Sequence, residues 1–111
     1  MIELIIKKYL DEHLEVPSFF EHGAGLPNRF IIIDKTGGSS ETGLKRATIA
    51  LQSYAESMYE AASLNERVKT VVANMVELDS VVSVQLNSDY NFTDTETKQY
   101  RYQAVYEIYY Y

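Results

Sequence analysis

The chain contains no cysteine. Disulfides, thiol nucleophiles and cysteine-bound zinc are therefore excluded, and the composition is compatible with a reducing cytosol. No window approaches the ~18 consecutive apolar residues that read as a membrane span. The opening stretch, MIELIIKKYLDEHLE, is charged every few residues and has no apolar core of the signal-peptide kind, so neither secretion nor a membrane partner is expected. Positive charge is scarce: 10 Lys and Arg stand against 16 Asp and Glu, for a formal net charge of −6. Lys7–Lys8 and Lys45–Arg46 are the adjacent bases. Counterion-driven nucleic-acid binding needs such residues clustered, so sequence-specific nucleic-acid binding is not expected.

Catalytic patterns are missing as well. His13 and His22 are the two histidines. Glu12, Glu15 and Glu21 flank them, but the pair lacks the i, i+4 spacing that would bring both to one face of a helix. The run Gly38-Ser39-Ser40-Glu41-Thr42-Gly43-Leu44-Lys45 imitates a phosphate-binding loop. Its register is wrong, because the lysine must directly follow the second glycine and be followed by Ser or Thr to hold magnesium. Leu44 intervenes, Arg46 follows, and Glu41 would repel phosphate. No Gly-x-Ser-x-Gly elbow occurs. Glu56, Glu60, Glu66 and Glu77 fall along one helical stretch and read as a solvated face. Asn91-Phe92-Thr93 matches a glycosylation acceptor, which without a secretion signal is a chance match. No catalytic residue, no cofactor and no metal site is expected, and the chain is not expected to be an enzyme.

What is present is material for one core. Apolar residues make up 46% of the 111 residues and aromatics 13%, which argues against disorder. A chain of this length buries roughly 65% of its unfolded surface, enough for one domain spanning 1–111. Ile2, Ile6, Tyr9 or Leu10, and Leu14 recur at helical steps and predict a helix over 2–14. Pro17 forces Val16 to be extended, so VPSFFE reads as a short edge strand. GAGLPN (23–28) is a loop. RFIIID (29–34) is short, β-branched and bounded by turns, which predicts a strand covered on both faces. KTGGSSETG (35–43) reads as a flexible hairpin loop. RATIALQSYA (46–55) alternates like a strand, although its alanines also permit a helix. The strand is preferred because the helix-start signal comes later: Ser57-Met58-Tyr59-Glu60 matches a capping box.

From that box, Ala61, Leu64 or Asn65, Val68, Val71 or Val72, and Met75 form one apolar stripe. They predict a helix over 58–78, about 31 Å long at 1.5 Å per residue. Asp79–Ser80 is the exit turn. Val82, Val84 and Leu86 then alternate with Ser83, Gln85 and Asn87, NFTDTET (91–97) turns, and 98–111 closes as a strand. Helices and strands are partly segregated. The fold class is α+β: a mostly antiparallel sheet of four to five strands, with an N-terminal helix and one long helix packed on one face.

The closing strand is the most unusual segment. KQYRYQAVYEIYYY holds six tyrosines in fourteen residues. Tyr100, Tyr102, Ala104, Tyr106, Ile108 and Tyr110 share a nearly apolar face expected to meet the long helix. Arg101, Gln103, Val105, Glu107 and Tyr109 lie on the other. Tyrosine is apolar along its ring and polar at its tip, which suits a core rim and a protein interface alike. The strand also outruns the modal ~5–6 residues, so part of it is expected to pair with something beyond one small domain.

This layout resembles the tail terminator and tail-completion proteins of long-tailed bacteriophages, in the small prophage versions from Gram-positive hosts. The resemblance covers nearly the whole chain. It rests on the amphipathic N-terminal helix, on RFIIIDKTGGSSETG as a strand running into a Gly/Ser hairpin tip, on RATIALQSYAESMYEAASL as a strand passing through a capped turn into the long helix, and on the closing YRYQAVYEIYYY. It implies a structural virion protein: a homo-oligomeric ring, commonly hexameric, on the finished tail tube. Such a ring ends tube growth and offers a surface to head-completion or neck proteins. The implied partners are other copies of the chain, the tail tube protein and the neck protein, with DNA passing through the ring lumen. The implied contact regions are the hairpin tip and its flanks (Lys35, Thr36, Gly37, Gly38, Glu41, Lys45, Arg46) and the outer face of the closing strand (Glu107, Tyr109, Tyr111).

Simple physics agrees with a ring. A ring forms when one surface meets a different surface on the next copy and the rotation closes. An edge strand offers unpaired backbone groups for such a contact. Chains of charge −6 would surround a negative lumen that repels DNA. Two other readings stand beside this one: a head–tail connector or neck protein of similar size, and a small intracellular binding module without catalysis.

Overall fold

The computed structural model describes residues 1–41 and 43–111. The apolar periodicity at the start of the chain forms α1 (Ile2–His13), which buries Ile2, Ile6, Tyr9 and Leu10. Asp11 fixes its far end: one carboxylate oxygen accepts from the Ser18 backbone N–H at 3.1 Å and from the Ser18 hydroxyl at 2.7 Å. That anchor places the two-residue strand β1 (Ser18–Phe19) at a sheet edge, parallel to β2 (Phe30–Glu41). The sheet continues through β3 (Leu44–Ala55), and the chain then enters α2 (Met58–Ala73). A single 3-10 turn, Asn74–Glu77, leads to β4 (Val81–Asn91) and β5 (Tyr100–Tyr110).

The spatial order is β1-β2-β3-β5-β4, and every pair except β1 with β2 is antiparallel. The arrangement is α+β, as the segregation of elements predicts. Ile31 and Ile33 of β2, Ile49 and Leu51 of β3, and Ala104, Tyr106, Ile108 and Tyr110 of β5 face the helices. They meet Leu64, Val68, Val72 and Met75 in one core. Burying each large aliphatic side chain contributes about 1.5–3 kcal/mol. On the opposite face, Phe30, Ile32 and Tyr54 pack beneath Phe19 and Leu26. The FIII run of residues 30–33 is therefore covered on both sides, but only at the β1 end of the sheet.

Four expectations need correction. First, KTGGSSETG is not a loop. β2 and β3 stay paired out to Glu41 opposite Leu44, because an antiparallel ladder satisfies the backbone of even a Gly/Ser segment. Gly43, with φ +81°, takes the left-handed conformation that a tight turn requires, and Thr42 lies outside the described residues. Second, the long helix stops as an α-helix at Ala73. The tighter turn that follows turns Met75 fully into the core, as 3-10 turns at helix ends commonly do.

Third, the alternation in β4 is reset twice, by irregularities between Val81 and Ser83 and between Leu86 and Ser88. An extra residue at each point changes which side chains face inward. Val81 is buried, while Val82 is 38% and Leu86 48% exposed. Fourth, the length of the closing strand needs no partner beyond the domain. β5 lies between β3 and β4, paired with β3 over Tyr100–Tyr110 and with β4 over Tyr102–Tyr110. Its length is absorbed inside the sheet, and the free edges belong to other strands.

Candidate functional site

The register sorts the expected contact residues onto two faces. Arg46 lies opposite Tyr109, and Thr48 opposite Glu107. The Glu107 carboxylate accepts from the Thr48 hydroxyl at 3.0 Å and lies 3.9 Å from Arg46 Nε. Arg46, Glu107 and Tyr109 are thus brought together on the face away from the helices. Gly37 sits in the same row as Thr48 and Glu107. The Thr36 hydroxyl donates to the Thr48 carbonyl at 3.5 Å, beside the irregularity between Lys35 and Gly37.

Lys35 and Lys45 separate from that group. Lys35 is level with Ile49 on the helix side, and the Lys45 ammonium sits 5.8 Å from the centre of the Tyr110 ring, a cation–π contact. Glu41 closes the ladder opposite exposed Leu44. Gly38 is where the arm is tightest: a Cβ there would meet the Arg46 carbonyl at 3.0 Å and the Lys35 side chain at 3.1 Å. Tyr111 is 69% exposed, and its backbone N–H donates to the Ser80 carbonyl at 3.0 Å. The two tyrosines proposed for contact are therefore separated by Tyr110, which is part of the core.

Sequence reasoning missed a polar ladder further along the same open face. The Arg101 guanidinium donates to the Tyr54 hydroxyl at 3.0 Å, which donates to Gln52 Oε1 at 3.2 Å. The Gln52 amide donates to Gln103 Oε1 at 2.8 Å, and Gln103 donates to the Tyr90 hydroxyl. One ladder thus links β3, β5 and β4. Its signal in the sequence was a Gln or Tyr on each strand, but only the register shows that they share a row. Arg101 also lies 4.6 Å over the Phe92 ring.

Ion pairs and hydrogen bonds occupy a helix-side groove. In the groove of about 440 Å³ lined by Tyr59, Asn65, Glu66, Asp89 and Tyr102, the Asn65 amide donates to Asp89 at 2.6 Å and Lys69 pairs with both Asp89 and Glu66. These carboxylates hold the Lys69 proton more firmly than usual. Glu56 is bound by Arg29, whose hydrogen bonds lower the pKa of its carboxyl. Burial pushes the Tyr106 phenol up to about 12, so it is a neutral core group at ordinary pH.

The histidines do not meet. His13 stacks on Tyr9 at 4.1 Å, whereas His22 packs against Phe30 and Tyr54. Among the described residues, no group of three or more His, Asp and Glu side chains is arranged to hold a metal ion, and no helix is long and apolar enough to cross a membrane. Charged, amide and phenolic groups stand in rows on the sheet face away from the helices. No protein-family model matches the chain, and no curated protein matches it.

Proposed function

We propose that this chain is a phage tail terminator: a structural virion protein that caps the completed tail tube as a homo-oligomeric, hexameric ring. The ring ends tube growth, seats the head-completion or neck protein, and lets DNA pass through its lumen. The chain is made in the bacterial cytoplasm and acts in the virion without catalysis or a cofactor.

The observation that carries this reading is the division of the sheet. Helices cover one face along the core. The distal part of the other face, with Arg46, Thr48, Glu107 and Tyr109 beside the paired arm of β2 and β3, has no helix on it. It is also the region that the family resemblance marks for contact. A β5 locked between two neighbours gives this face a rigid support, and rigid elements position contact groups better than loops do.

The test is assembly. Phage lacking the gene should make tails of irregular, overlong length that fail to join heads. Tails of normal length that join heads normally would rule the terminator reading out.

A further inference from the structure

The sheet has two long free edges of different character. On one side β1 pairs only with Ile31 and Ile32, so the outer backbone of β2 from Asp34 to Glu41 has no partner among the described residues. On the other side, β4 pairs with β5 alone. We infer that copies of this chain join edge to edge, with β4 of one copy adding antiparallel to Asp34–Glu41 of the next. The sheet then runs on from copy to copy with every helix on the same side. This deepens the ring reading and rests on self-assembly, not on the identity of the tail partner.

Strand direction is the first argument. β2 and β5 run one way and β3 and β4 the other, because each neighbouring pair is antiparallel. Set a second copy beside the first in the same orientation. Its β2 then lies antiparallel to β4 of the first, and the alternation continues without inverting any copy. The surfaces that meet differ, so the contact is head-to-tail and propagates into a ring or a chain.

Edge chemistry is the second. Exposed edges are ordinarily guarded by lysine, proline or bulges. β4, VVSVQLNSDYN, has no lysine, arginine or proline, and Val82 and Leu86 are exposed along it. Its guards are its two irregularities and the inward-turned Asp89.

Charge is the third. Lys35 and Lys45 stand on the helix side at the β2 end of the arm. Glu77 and Asp79 immediately precede β4, on the helix side, at the level where Val81 is in line with Tyr110 and Lys45. Among the described residues none of these four makes an ion pair within 4.0 Å. Lateral addition of a copy in the same register brings Lys45 of one copy level with the acids that precede β4 of the other, while Lys35 falls level with Leu86. A symmetric pairing of β4 with β4 would leave Lys45 and these acids uncompensated.

The absence of native cysteine makes disulfide trapping unambiguous. Ser39 and Ser83 lie in one row, on the face away from the helices. After oxidation, Ser39→Cys/Ser83→Cys in one chain should give a covalent ladder or closed ring. An equal mixture of the two single variants should give a dimer containing one of each, and neither single variant should cross-link alone. Leu86→Lys, at an exposed position, should leave a folded monomer. Lys45→Glu should weaken association several-fold, and Asp79→Lys in the same chain should restore it.

Cross-linking of Ser83→Cys with itself would overturn the head-to-tail pairing. A wild-type protein that assembles by light scattering, yet neither traps in the mixture nor responds to Leu86→Lys, would also overturn it while leaving the ring reading standing. A wild-type protein that stays monomeric at all concentrations and does not trap refutes edge pairing as a property of the chain, and the tail-length test then judges the terminator reading separately.

Discussion

Ser57 accepts, through its hydroxyl oxygen, a hydrogen bond from the backbone N–H of Glu60 at 3.1 Å. It is the N-cap of α2, extended at φ −148°, ψ 163°. The sequence predicts a reciprocal box, but the Glu60 carboxylate turns instead to Arg29, at 3.3 Å. Ser57→Ala should therefore cost on the order of 1 kcal/mol, seen as a drop of several degrees in melting temperature. Glu60→Ala should leave the Ser57 cap intact and change stability much less. Equal losses from the two variants would restore the reciprocal box.

Asp11 ties α1 to β1 and gives stability a pH dependence. Burial raises its pKa, but the bonds from Ser18 and Lys7 outweigh burial, and the net shift is downward. A carboxyl whose pKa is lower folded than unfolded stabilises the fold above its unfolded value, and that stability is lost as pH falls through the folded value. Asp11→Asn should destabilise the protein at neutral pH. The gap from wild type should close as the pH is taken below the ordinary carboxylate range of about 4. Urea unfolding at several pH values measures it; a gap independent of pH would count against this role.

Tyr106 makes the opposite prediction at high pH. Its phenol, raised to about 12 by burial, is neutral in the folded state where an unfolded tyrosine of pKa about 10 ionises. The stability it contributes is complete below the unfolded pKa and is lost as pH rises through the folded one. An ultraviolet titration should show one phenol resisting ionisation until about 12 or until unfolding. Tyr106→Phe should remove that late step without disrupting the core. A late step persisting in the variant would mean another tyrosine is responsible.

Gly38 is the test of the arm. Any Cβ meets the Arg46 carbonyl at 3.0 Å, so Gly38→Val should force β2 and β3 apart at the arm. The arm is solvent-exposed, so the fold should lose no more than about 1 kcal/mol. Self-association should fall by much more. The comparison of melting temperature with light scattering decides it, and unchanged assembly would show that the arm is not a contact.

Tyr109 and Tyr111 should behave alike under alanine substitution: assembly impaired, melting temperature nearly unchanged. Tyr110→Ala should instead destabilise by about 3 kcal/mol or more, as truncating a buried aromatic does, because Tyr110 belongs to the core. If Tyr109→Ala unfolded the chain as readily, its ring would be structural.

The local facts of this fold were written in the sequence. Helical spacing of Ile2, Ile6 and Leu10 made α1, Ser57 set the start of α2, and period-two alternation placed Tyr106, Ile108 and Tyr110 on the core face. Each depends on a preference or a periodicity spanning a few residues, which a single chain displays directly. Pairing was decided elsewhere. Nothing in YRYQAVYEIYYY shows that β5 goes between β3 and β4; that follows from which strands bury Ile49, Leu51 and Ile108 together. The rows joining Arg46 to Tyr109 and Gln52 to Gln103 exist only once the register is set. The free edges passed to β4 and the distal half of β2 for the same reason: an edge is defined by the strand that is absent beside it. Sequence fixes what each segment prefers, whereas long-range burial chooses the neighbours, and here the neighbours determine which backbone remains open to another copy.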